Sequence, residues 1–92
     1  MTVKKDDLML KELYAQLIKL ETEEECASFL GDLCTIKELQ SMAQRLQAAK
    51  MLLDGKTYQE ITTQTDISSA TLARVSKCVR YGDGGYESII KK

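Results

Sequence analysis

The chain contains no proline, no histidine and no tryptophan, and a single phenylalanine among its 92 residues. Average composition would supply about four or five prolines at this length. With none, no position fixes φ or removes a backbone donor, so helix can follow helix without an obligatory break. The lack of histidine removes the commonest general base, proton shuttle and metal ligand together. Hydrolases with a histidine-activated nucleophile and zinc enzymes are disfavoured, and no catalytic or metal-binding residues are assigned. The three cysteines, Cys26, Cys34 and Cys78, are odd in number and lack CxxC spacing. They signal neither a zinc knuckle nor a disulfide framework, and buried, reduced thiols are expected. No apolar run approaches the roughly 18 residues that a membrane helix needs. The start, Met1–Asp7, lacks the apolar centre of a secretory leader. A cytoplasmic protein without a membrane partner is therefore the expectation.

What is present is aliphatic. Apolar residues make up 43% of the chain and aromatics 5%, so the core must be built from Leu, Ile, Val, Met and Ala. The length suits one domain. The net charge of −1 conceals an uneven distribution. Residues 1–31 carry four lysines against seven acids, whereas residues 57–92 carry five basic groups against four acids. Between 68 and 82 stand Arg74, Lys77 and Arg80 with no acid at all. A near-neutral protein can bind a polyanion when its basic groups share one surface.

Helix starts are marked repeatedly. Thr22-x-x-Glu25, Thr35-x-x-Glu38 and Thr57-x-x-Glu60 each fit a capping box. A first helix is predicted from about Asp6 to Leu20, where Leu10, Leu13, Tyr14, Leu17 and Ile18 draw one apolar stripe. A short second helix runs from about Glu23 to Leu30, with Gly31 closing it. The third is the longest: Ile36, Leu39, Met42, Ala43, Leu46, Ala49, Leu52 and Leu53 keep one face apolar as far as Asp54, and Gly55 supplies a left-handed cap. At roughly 28 Å it spans a small domain. Its flanking pieces are short, which points to a second subunit for the missing partner surface. After Gly55, a helix is predicted from Thr57 to about Gln64 and another, capped by Ser68 or Ser69, to about Tyr81. Tyr86 to Ile90 form a last turn beyond the glycine-rich stretch 82–85.

Two short helices joined by a tight turn, the second basic and serine-capped, suggest a helix-turn-helix. In the window Tyr58–Lys77, the four places that must be apolar to seal the interhelix angle are Ile61, Ile67, Leu72 and Val75. Thr62 stands where a small residue is wanted. Asp66 stands where positive φ is common, and it is among the non-glycine residues enriched there. Thr65 is polar where an apolar residue is commoner. Ser68, Ser69, Ala70 and Thr71 would open a recognition helix, with Ala73 on the same surface. These side chains are small and suit methyl contacts and water-bridged readout of double-stranded DNA. Lys77 and Arg80 would meet phosphates.

From Leu33 to about Lys77 the chain resembles the Trp repressor superfamily. The likeness is carried by Leu33-Cys-Thr35, Arg45, Leu52-Leu53-Asp-Gly55, Tyr58-Gln-Glu-Ile61 and Ile67-Ser-Ser-Ala-Thr-Leu-Ala-Arg74. Over nearly its whole length, including Tyr81-Gly-Asp-Gly-Gly85, it is similar to the bacterial YerC/YecD-type branch. The resemblance implies an all-α fold: a helical bundle with a helix-turn-helix, forming an intertwined homodimer. Within a single domain spanning 1–92, residues 1–55 would be dimerisation helices, 57–81 the helix-turn-helix and 82–92 a short C-terminal segment. It further implies a sequence-specific transcriptional regulator, a repressor, that binds a palindromic operator and is not an enzyme. Thr35, Arg45 and Arg74 match positions at which the family archetype holds tryptophan. Arginine suits that task, since it stacks on aromatic faces and binds carboxylates. Val75 replaces a glycine beside the indole, Cys78 replaces a serine near the amino group, and the turn is one residue shorter. L-tryptophan or another small effector is thus an expectation for this pocket, and DNA binding without any effector is the main one. A second reading is a helical dimeric interaction module that works through a protein partner. A third, an intertwined helical enzyme of the chorismate mutase type, finds no convergent set of basic side chains.

Overall fold

The computed structural model describes residues 5–92, so the reading of the first residues as lacking a leader lies largely outside the described part. Among the described residues the chain forms helices and no strand: α1 (Lys5–Leu17), α2 (Glu23–Leu33), α3 (Ile36–Leu53), α4 (Tyr58–Thr65), α5 (Ser69–Tyr81) and α6 (Gly85–Ile90). The chain divides into two compact units, one ending at Thr35 and one spanning Ile36–Lys92. None of these helices is long and apolar enough to cross a membrane.

In the first unit neither α1 nor α2 buries a residue. α1 stops at Leu17 rather than Leu20, because the amides of Lys19 and Leu20 turn to the carbonyls of Gln16 and Leu17, three residues back. The Thr22 hydroxyl caps α2 by accepting from the Glu25 amide at 3.0 Å, and the Glu25 carboxylate reaches back to the Glu21 amide at 2.9 Å. The capping box is thus closed one residue upstream of Thr22. Gly31 does not end α2, which continues to Leu33 and closes with the Cys34 amide on the Leu30 carbonyl at 2.9 Å. Glycine inside a helix costs only about 1 kcal/mol relative to alanine, which does not prevent α2 from running on to Leu33.

The second unit holds the core. Ala48, Ala49 and Met51 of α3, Ile61 of α4, Ile67 of the turn, and Leu72 and Val75 of α5 form one buried cluster. The two alanines let the other helices approach α3 closely. The apolar face of α3 is divided along its length. Ala48, Ala49 and Met51 near its C-terminus are buried here, whereas Ile36, Met42 and Leu46 remain exposed. Leu52, Val79, Tyr86 and Ile90 cover the cluster from its edges.

The expectation of buried thiols does not hold. Cys26 and Cys34 are half-buried and Cys78 is exposed. The physical reason for Cys78 is its place on α5, three residues beyond Val75 and on the flank of the buried stripe.

Candidate functional site

The geometry begins at the turn between α4 and α5. The four sealing residues are all buried: Ile61 0%, Ile67 3%, Leu72 0% and Val75 2% exposed. Asp66 adopts φ 59°, the left-handed conformation that its place in the turn requires. Polar Thr65 is accommodated by bonding. Its hydroxyl donates to the Ile61 carbonyl at 2.6 Å and accepts from the Ile67 amide at 3.3 Å. Its own carbonyl accepts from Gln44 Nε2 at 2.8 Å, which ties α3 to the turn. Gln44 escaped sequence reasoning, because one glutamine on a mixed helix face carries no pattern.

α5 is then set by its cap. The Ser68 hydroxyl accepts from the Thr71 amide at 3.1 Å and donates to Thr71 Oγ1 at 2.9 Å. Ser68 and Thr71 therefore spend their side chains on starting the helix. Ser69, Ala70 and Ala73 are exposed, as are Lys77 and Arg80, while Leu72, Val75 and Ser76 turn inward. The helix thus has one buried side and one side of small residues followed by cations. Replacing Ser68 with Ala is expected to cost about 1 kcal/mol and to lower the melting temperature by about 4–8 °C. An unchanged melting curve in circular dichroism would show that the cap contributes nothing.

The residues singled out as a pocket fall in two places. Arg45, Arg74, Val75 and Cys78 line one open cleft of ≈ 430 Å³, joined there by Thr71 and Tyr86. Thr35 ends the first unit and is not among the cleft's lining residues. Val75 belongs to the core, so its side chain forms cleft wall and hydrophobic floor at once. The sequence places Tyr86 only in a last helical turn. Its signal in the sequence was an aromatic residue just beyond a glycine-rich reversal. No group of His, Cys, Asp or Glu among the described residues could hold a metal ion.

Together these features define an all-α protein whose second unit presents a helix-turn-helix. The chain belongs to the Trp repressor protein family, whose model matches residues 9–92. It is 46% identical over 83 residues to the uncharacterised protein YerC of Bacillus subtilis, covering 90% of this chain and 80% of that one. A solved structure of a candidate Trp repressor from Staphylococcus aureus superposes with a TM-score of 0.88 at 39% identity, covering 98% of this chain and 93% of that one. A TrpR-like protein from Eubacterium eligens gives a TM-score of 0.88 at 34% identity, with 91% and 87% covered. The family is regulatory rather than enzymatic.

Proposed function

We propose that the chain is a sequence-specific DNA-binding transcriptional regulator, acting as a repressor, that binds a palindromic operator as a homodimer. The observation that carries this is the helix-turn-helix itself. Its four sealing residues are buried, its turn residue is left-handed, and its second helix has a capped, acid-free outer side. In such motifs the N-terminal part of the second helix enters the major groove. Ser69, Ala70 and Ala73 would face bases, with Ser68 and Thr71 shaping the helix end beside them. Lys77 and Arg80 would hold phosphates and fix the register.

The dimer reading is supported by apolar surface left open within one chain. In the first unit Leu10, Tyr14 and Ile18, spaced four residues apart, are 45%, 56% and 84% exposed, and a stripe of this kind marks an interaction surface; in the second unit Ile36 is 75% exposed at the start of α3. A twofold dimer would place two reading helices in successive major grooves, with half-sites about one or two turns apart.

The Arg45–Arg74 cleft is the seat for a small effector if one acts. Among the described residues neither guanidinium is held in an ion pair, so a carboxylate would find donors there. L-tryptophan is the first compound to test, against the narrowing that Val75 brings. The main reading is DNA binding without it.

Lys77→Ala tests the interface. Affinity should fall by a similar factor for all sequences, and the slope of log affinity against log salt should flatten by about one unit. If affinity and slope both stay at the parent's values in titrations at several salt concentrations, Lys77 does not contact the phosphates.

A further inference from the structure

We propose that α6 is an intramolecular strut whose Tyr86 forms one side of the Arg45–Arg74 cleft and holds the reading helix α5 against α3 with no diffusible ligand. The inference rests on the DNA-binding reading above and concerns how that state is maintained.

Four observations carry it. First, α6 packs against both α3 and α5, the two helices whose mutual angle sets the reading surface. Second, Tyr86 and Ile90 are half-buried and lie on the core cluster formed by α3, α4 and α5. Third, Tyr86 lines the cleft with Arg45 of α3 and Arg74 and Cys78 of α5. It also lines a neighbouring apolar cleft of ≈ 410 Å³ with Leu46, Ile89 and Ile90, so it stands as a partition between the two spaces. Fourth, the chain reverses into α6 through glycines that the geometry needs. A Cβ at Gly82 would collide with the Cys78 carbonyl, and Gly84 has φ 81°.

α6 is six residues long. Isolated helices shorter than about 12–15 residues are marginal in water, so α6 owes its order to the docking of Tyr86 and Ile90. A short, edge-packed element of this kind belongs to the low end of local stability and can detach without unfolding the rest. While docked, it bridges α3 and α5. The cleft's lining therefore already includes an aromatic group supplied by the chain, which removes the need for an external one.

Tyr86→Ala and Tyr86→Phe test the strut in the full chain, with hydrogen exchange of α5 and DNA binding as readouts. Tyr86→Ala should keep its helical content and a cooperative melt. The amides of α5 should exchange about tenfold faster, and affinity for an enriched DNA site should fall only as far as the docked fraction falls, by about twofold or less while that state stays in the majority. Tyr86→Phe should recover most of both effects. The strut is overturned if α5 exchange is unchanged in Tyr86→Ala or if the variant unfolds globally. Should the parent chain enrich no DNA site at all, the DNA reading falls. The exchange comparison would still decide whether α6 braces α5.

Discussion

Replacing Leu72 with Ala is expected to destabilise the second unit by about 2–5 kcal/mol, the range for removing a large buried aliphatic side chain. Leu72 is fully buried. It shares its cluster with Ala48 and Ala49 on α3 and Ile61 on α4. The alanines have no spare side-chain length to swing into the space, and α3 and α4 are tied through Gln44 and the Thr65 carbonyl. The cavity therefore collapses poorly, which puts the cost toward the upper part of the range. A domain of this size has a total stability of only about 5–15 kcal/mol, so the loss is a large share of it. The melting temperature should drop by at least about 10 °C. DNA binding should suffer beyond that loss, because Leu72 anchors the helix whose opposite side carries Ser69, Ala70 and Ala73. A melting point within a few degrees of the parent's would mean that α5 is not held through this side chain.

The second large effect concerns assembly. Ile36→Asp is expected to weaken the proposed homodimer by at least about 100-fold, since in that reading an unpaired carboxylate would replace apolar surface at the interface. The position is chosen so that the chain's own fold is spared. Ile36 is 75% exposed within one chain and opens α3. An acid in the first turn of a helix interacts favourably with the helix dipole. Sedimentation equilibrium should show the parent as a dimer and the variant as a monomer with unchanged helical content. A variant that remains dimeric would remove Ile36 from the interface, and a monomeric parent would remove the dimer.

Much of the second unit was legible because each signal had a local physical cause. The Thr57 and Ser68 caps, the left-handed Asp66 and Gly55, and the four sealing residues are consequences of backbone hydrogen bonding and helix period. Three features were not legible, for distinct reasons. The buried face of α3 includes Ala48 and Met51, one step around from the stripe through Leu46 and Ala49, because the helix serves two surfaces along its length. Polar Thr65 departs from the apolar pattern of the turn, and its bonds to Ile61 and Ile67 are local, whereas its tie to Gln44, twenty-one residues away, is set by the fold. The docking of Tyr86 depends on the chain reversing at Gly82 and Gly84, which a sequence shows only as a flexible stretch. For the site, periodicity named the outer side of α5. The resemblance to the family named the arginines, four of whose five proposed pocket residues share one cleft.

The most direct test of the central claim is to incubate the protein with fragmented genomic DNA at about 0.15 M salt, where surface charges are screened beyond about 8 Å. The retained fragments are then sequenced, with and without L-tryptophan. Enrichment of a few palindromic sites in both conditions is the predicted result. Retention that is independent of sequence and lost as salt rises, with or without L-tryptophan, would contradict the claim that this helix-turn-helix reads an operator.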